Sequence, residues 1–357
     1  MSEEQHFKRN EQLIGHYYRT VLIKIIVCEM IFVIYFEHIN GEGCLLKGKD
    51  LLSAADLSGE DIKMLLADTE ELKTRGFSSA LAGKVLALLF EKPSLRTRVS
   101  LEVAMYQLGG KAIYLSPAEV GLGKRESVRD VACVLSRFAD IIAARTFSHK
   151  TVEELAEHAT VPVINVLSDF EHPCQALADV FTIYEKKGEL KDLTIAYIGD
   201  GNNVANSLML VAAMCGINFR IASPKGYKVE ESILHLAQTY AAQSKAEVVC
   251  LEDPKMAVQG ADAVYTDTWI SMGQEEEAEI KRRVFQDYQV NSELMSLAKK
   301  NAIFMHCLPA HRGEEVTDEV MDSAASVVYD QAENRMHVVK AILLYLLGGL
   351  EIQLGYR

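Results

Sequence analysis

The chain has 357 residues, 49% hydrophobic and 24% charged, the balance of a globular protein with a real core and about two domains of ordinary size. Its formal net charge of -13 argues against a nucleic-acid partner, which would need a basic face. It leaves room for a small anionic substrate held by a few local arginines. The seven cysteines form no C-x-x-C pair and no metal-like spacing, so no metal or disulfide framework is expected, and reduced thiols in a cytoplasm are the natural reading.

Residues 1–45 stand apart as an N-terminal extension. Val21 to Phe36 is apolar, interrupted by Lys24 and Glu29, and shorter than the roughly 20 residues a membrane helix needs. Lys8, Arg9 and Arg19 precede it as in a signal peptide, but no small-x-small cleavage site follows at Glu37-His38-Ile39-Asn40. An extra segment packed on or tethered to the body is the expectation; a membrane anchor and a start codon placed too early are the alternatives.

From about Gly48 the pattern becomes regular. Ser58 opens a helix, with Asp61 as an acidic first turn. Lys84 to Phe90 is a continuous apolar run, the mark of a buried strand. A helix from Leu95 to Leu108 ends at Gly109-Gly110. Strands at 112–115, 141–144 and 163–165 then alternate with helices at 127–138 and 152–158, a βαβ rhythm that predicts a parallel sheet covered by helices. A helix over 171–187 connects to a second series. That series has strands at 193–198, 219–222, 248–251, 263–266 and 303–306, and a helix at 204–215. A last apolar helix, from Met336, folds back on the first domain. The fold class is therefore α/β, with two domains, 46–180 and 181–335, each a mostly parallel sheet flanked by helices, and the segment 336–357 completing the first.

Pro93-Ser94-Leu95-Arg96-Thr97-Arg98 follows a buried strand and opens a helix. Free N–H groups and the positive end of the helix dipole converge there. Ser94 and Thr97 add hydroxyls, and Arg96 offers a planar fork for phosphate oxygens. The same residues would also make an ordinary Ser-capped helix with solvated arginines.

The run Phe90-Glu91-Lys92-Pro93-Ser94-Leu95-Arg96-Thr97-Arg98 resembles the carbamoyl-phosphate loop of the aspartate and ornithine carbamoyltransferases, with Leu95 in place of the usual Thr. The resemblance continues through Ala144-Arg145-Thr146, His172-Pro173-Cys174-Gln175, His306-Cys307-Leu308-Pro309 and Glu333-Asn334-Arg335, over residues 48 to 350. It implies the carbamoyltransferase fold and, for carbamoyl phosphate, contacts from Ser94, Leu95 (through its backbone), Arg96, Thr97, Arg145, His172, Gln175, Cys307, Leu308 and Arg335. It also implies a homotrimer, or a multiple of trimers, in which the segment around Gly121-Leu122-Gly123-Lys124 serves a neighbouring subunit. Many ornithine enzymes carry a Gln where this chain has Gly121, so no Gln contact is expected here. Lys124 reads either as a substitute or as part of a solvated basic loop.

The second substrate is decided in the second domain. Gly199-Asp200-Gly201-Asn202-Asn203 sits at a strand-to-helix turn, where open α/β sheets bind ligands. It lacks the glycine fingerprint of dinucleotide sites, which counts against a dehydrogenase. The turn resembles the family's ornithine-side sequence, with Asn203 meeting the amino-acid head group. Asp267-Thr268-Trp269-Ile270-Ser271-Met272-Gly273 resembles the Asp-x-x-x-Ser-Met-Gly of the ornithine branch. An Asp suits an amine-bearing acceptor, whereas an Arg would suit a dicarboxylate. The resemblance thus implies ornithine bound through Asn203, Asp267, Ser271 and Met272; another amine such as putrescine or acetylornithine is the rival. Arg96, Arg145, His172, Asp267 and Cys307 are the expected catalytic residues, with no cofactor. The carbamoyl oxygen would be polarised by Arg145, Thr97 and His172, an oxyanion-hole arrangement. The acceptor amine would lose its proton near Asp267 and Cys307. Trp269 reads as packing.

Overall fold

The computed structural model describes residues 46–270 and 275–348. The extension 1–45 with its apolar run, the loop residues Ser271 and Met272, and the segment 349–357 lie outside them. The described residues from Gly48 onward belong to one unit.

The first half contains helix α1 (Gly59–Arg75), strand β1 (Val85–Phe90), α2 (Leu95–Gln107), β2 (Lys111–Leu115), a short α3 (Pro117–Val120), α4 (Val128–Leu135), β3 (Ile141–Arg145), α5 (His149–His158) and β4 (Val163–Leu167). Ser58 caps α1 reciprocally: the Asp61 N–H donates to Ser58 Oγ at 3.1 Å, and the Ser58 N–H to Asp61 Oδ2 at 2.8 Å. Such a box satisfies two otherwise orphaned donors. β1 is buried from Leu86 to Phe90, as a central parallel strand covered on both faces must be.

Helix α6 (Pro173–Lys187) leads to the second half. This continues as β5 (Thr194–Ile198), α7 (Asn203–Met214), β6 (Asn218–Ala222), α8 (Glu231–Ser244), β7 (Val248–Leu251), α9 (Pro254–Val258) and β8 (Ala263–Thr266). It closes with α10 (Ala278–Val284), α11 (Ser292–Met295), β9 (Ile303–His306), α12 (Asp318–Met321) and α13 (Val328–Leu347). Pro173 at the first turn of α6 and Gly188 at its end, with φ of 82°, set its limits. Both sheets are wholly parallel, in the orders β2-β1-β3-β4 and β7-β6-β5-β8-β9.

In each sheet the chain runs outward in one direction and then resumes on the other side of its first strand. The reversal falls between β1 and β3 in one sheet and between β5 and β8 in the other. Loops leaving neighbouring strands there diverge to opposite faces and open a crevice at the carboxyl ends. Ser94, Asp200 and Asp267 lie in the segments that follow β1, β5 and β8, and Arg145 ends β3.

One boundary differs from expectation. The last helix starts at Val328, not Met336, so Arg335 lies inside it. Its first turns carry polar residues that are buried because they have partners: Asn334 donates to Thr182 Oγ1 at 3.0 Å and Arg335 to Thr97 Oγ1 at 2.8 Å. α13 packs on α1, α2 and α6. The sequence reading places no helix at α8, although Ile233, Ala237 and Ala241 form a buried stripe at helical spacing.

Candidate active site

A cavity of about 390 Å³ is lined by residues from both switch points. Ser94, Arg96, Thr97, Arg145, His172, Gln175, Asn203, Asp267, Cys307, Leu308 and Arg335 all reach it. Leu95 does not: its side chain is 76% exposed, so only its backbone, in the first turn of α2, is left to serve a ligand. Lys124 is also absent from the lining.

At the anionic-ligand end, Ser94 caps α2 and its hydroxyl donates to Thr97 Oγ1 at 3.0 Å. Arg335 Nη2 donates to the same oxygen at 2.8 Å. With both lone pairs engaged, the Thr97 hydroxyl has only its proton to offer a ligand. Arg145 closes β3 and is buried, its Nε without a partner. Burial, with Arg335 and Arg96 nearby, pushes its guanidinium down to about 10. Lys92, also lining the cavity, is pushed down to about 8 by burial and then by Arg145, against the pull of Asp169 and Glu91. Cations that repel one another in a partly desolvated place are relieved by an anion of more than one charge.

His172 stands at the N-cap position of α6 without a side-chain cap bond, and its backbone N–H donates to Ser207 Oγ at 2.8 Å. Burial, reinforced by Arg335, Arg145 and Lys92, holds its imidazole well below the usual range, so the ring is neutral. Its Nδ1 is buried without a partner. Gln175 lies within the first turn of the same helix.

At the other end, Asp267 follows β8. Asn202 Nδ2 donates to its Oδ2 at 2.8 Å; the Cys307 thiol and the Thr268 N–H donate to Oδ1 at 2.9 and 2.8 Å. Burial and the Asp267 carboxylate hold the Cys307 thiol well above its usual range, so it is a donor and not a base. Asn202 also caps α7 through Val204 and Ala205. Asn203, the residue expected at the acceptor head group, donates to the Ser168 carbonyl at 2.7 Å. Asp200 is tied to the buried Lys281 on α10 at 2.6 Å; burial raises its carboxyl and Lys281 opposes that. Trp269 is packed, its ring stacked on Phe285 at 5.9 Å.

Among the described residues, Asp267, His306 and Cys307 bring ligand-type atoms within 4.8 Å of one another. These atoms are already committed. His306 Nδ1 accepts from the Leu308 N–H at 2.9 Å, and Nε2 faces Glu315 Oε1 at 3.1 Å, so neither ring nitrogen has a spare lone pair for a metal. The pairing instead braces Leu308, whose φ of 58° is left-handed.

The residues missed from sequence are Lys92, Asn202, Asp200 and Lys281. Asn202 had a signal, since Asn is a preferred cap at a strand-to-helix turn. Gly201 in that turn is irreplaceable for a local reason: an added Cβ would lie 2.3 Å from the Val229 nitrogen. Gly201→Ala is expected to cost about 1–3 kcal/mol, read as a lower urea midpoint at unchanged m-value.

This fold and site define a transferase class: the chain belongs to the aspartate/ornithine carbamoyltransferase family. The family's carbamoyl-P binding domain matches residues 49–185 and its Asp/Orn binding domain residues 191–346. Among individual relatives, the chain is similar to the ornithine carbamoyltransferase of Thermococcus kodakarensis, 51% identical over 86% of this chain and 99% of that one. It is also similar to that of Hyperthermus butylicus, 54% identical over 85% and 98%. The solved ornithine carbamoyltransferase from Pyrococcus furiosus superposes with a TM-score of 0.83 at 52% identity, covering 85% of this chain and 98% of that one.

Proposed function

We propose that this chain transfers the carbamoyl group of carbamoyl phosphate to the side-chain amine of L-ornithine, giving L-citrulline and phosphate. The observation that carries the reading is the polarity of the cavity. Arg96, Arg145 and Arg335 gather with the α2 N-terminus at one end, and the Asp267 carboxylate stands at the other.

Carbamoyl phosphate docks with its phosphate on Ser94, Arg96 and the first N–H groups of α2, which leaves the single Thr97 hydroxyl proton for the carbamoyl oxygen. Arg145, Thr97 and neutral His172 donate to the carbamoyl oxygen, where charge grows as the carbon becomes tetrahedral. Asp267 attracts and orients the ornithine ammonium, together with Asn203, Ser271 and Met272. The ornithine ammonium gives one proton to solvent, its free amine forms the new N–C bond, the C–O bond to phosphate breaks, and the second proton on that nitrogen leaves on the phosphate. Cys307, held protonated, keeps Asp267 in place; the departing phosphate is a better proton acceptor than the thiol. Holding both substrates supplies much of the rate.

The first sheet with α13 is assigned to carbamoyl phosphate and the second to ornithine. A homotrimer fits the exposed apolar side chains Val99 on α2 and Ile113 on the edge strand β2, which an isolated protomer leaves in water. A cytoplasmic setting fits the absence of a disulfide among the described cysteines, and no described helix is long and apolar enough to cross a membrane.

Citrulline formation with ornithine, beside putrescine and acetylornithine as acceptors, tests the reading. In the same assay Arg96→Ala is expected to raise the KM for carbamoyl phosphate roughly ten- to a hundredfold, the loss of one charged hydrogen-bonding fork. Wild-type KM and turnover in that variant would remove Arg96 from the site.

A further inference from the structure

Asp179 lies one turn after Gln175 on α6 and is fully buried. Its Oδ1 accepts from Gln175 Nε2 at 2.7 Å and from Gln331 Nε2, on α13, at 2.7 Å. Its Oδ2 has no hydrogen-bond partner. Burial pushes this carboxyl up to about 7, against the pull of the two amides, the Tyr265 hydroxyl and Arg335, yet with or without a proton on Oδ2 its Oδ1 remains an acceptor. An acceptor oxygen can be met only by the NH2 side of an amide. Both glutamines are therefore oriented, with their carbonyls facing away from Asp179. The Gln331 carbonyl takes the His306 N–H at 3.0 Å. The Gln175 carbonyl is buried with no partner, on a residue that lines the cavity.

We infer that Asp179 is a positioning residue that fixes Gln175 as a hydrogen-bond acceptor toward the transferred group, so that the site selects a carbamoyl over an acetyl group. The inference rests on the carbamoyl-transfer reading and adds the origin of its selectivity. Carbamoyl phosphate and acetyl phosphate share shape, charge and the carbonyl that Arg145 and His172 polarise. They differ in an NH2 against a CH3. A buried acceptor satisfied by the NH2 is left desolvated and unpaired by the methyl, and such mismatches discriminate far better than shape does. Were Gln175 free to turn over, it would present its own NH2 to the substrate's NH2, and the preference would disappear. Gln175 and Asp179 are four apart on one helix and so share a face.

The experiment compares the KM for carbamoyl phosphate with the inhibition constant of acetyl phosphate, in citrulline assays of the full chain. Wild type is expected to turn over and to favour the carbamoyl compound. No turnover by wild type would overturn the carbamoyl-transfer reading itself. With wild type active, Asp179→Asn, which can offer either end of its amide, is expected to raise the carbamoyl phosphate KM on the order of tenfold. The acetyl phosphate constant should move less than about threefold, because no hydrogen bond to its methyl is lost. Asp179→Glu, still an acceptor, should restore most of the preference. Gln175→Leu leaves Asp179 in place and should also lose the preference, so the test stands even if Asp179→Asn does not fold. Equal weakening of both phosphates, the mark of a merely structural role, would overturn the inference. So would full selectivity in Gln175→Leu.

Discussion

Arg145→Ala is expected to lower kcat about 100- to 1,000-fold, the cost typical of removing one preorganised donor from a developing oxyanion. The guanidinium stands at the end of a central parallel strand, is only 6% exposed and has an uncommitted Nε. At Nε it therefore meets a reacting oxygen without first giving up a protein partner. The effect should fall on kcat more than on the KM for carbamoyl phosphate, because the charge it answers appears only as the tetrahedral intermediate forms. Single-turnover rates of citrulline formation would measure this. A variant whose kcat stays within a fewfold of wild type while the KM alone rises would reassign Arg145 to ground-state binding. Removing it should also relieve Lys92, whose ammonium it pushes down.

Asp267→Asn is expected to lower kcat/KM for ornithine by roughly a hundredfold or more, since it leaves a buried ammonium without its counter-charge, at about 3 kcal/mol or more. The substitution preserves shape but makes one of the two oxygens a donor. That donor would face either the Asn202 amide or the Cys307 thiol, both of which donate to Asp267 now. The carbamoyl phosphate KM should be nearly unchanged, which separates a local electrostatic loss from a disturbed fold. Steady-state kinetics with each substrate varied in turn would decide. Equal loss in both substrates would mean that Asp267 holds the turn together and does not act on the amine.

Much of this architecture was legible because apolar runs flanked by turns announce buried parallel strands. β1, β7, β8 and β9 fell within a residue of expectation. The alternation of helix and strand predicted parallel sheets, but not the strand order, which depends on which side of β1 or β5 the chain returns to. Arginines at a capped helix start were visible as an anion site, and the family resemblance supplied the chemistry. What stayed hidden was the support. Asp179, Lys281, Glu315 and Gln331 are polar residues that look like surface positions in a sequence. Asp179, Lys281 and Gln331 are buried because partners distant along the chain satisfy them, as Lys281 does with Asp200, and Glu315 because His306 and His311 close on it. The expected helix start at Met336 also fell short, because Arg335 is an interior residue of α13 that donates to Thr97.

Helix α13 has a consequence for the order in which the protein is built. It lies against α1, α2 and α6 and carries Arg335 to a hydroxyl 238 positions earlier in the chain. During synthesis the first sheet can close and α2 can form long before residues 328–347 emerge. Until then the apolar surface that α13 covers stands open and Thr97 lacks its guanidinium. Carbamoyl phosphate should therefore gain its tight site only late in translation, and nascent chains halted before Val328 should be the aggregation-prone species.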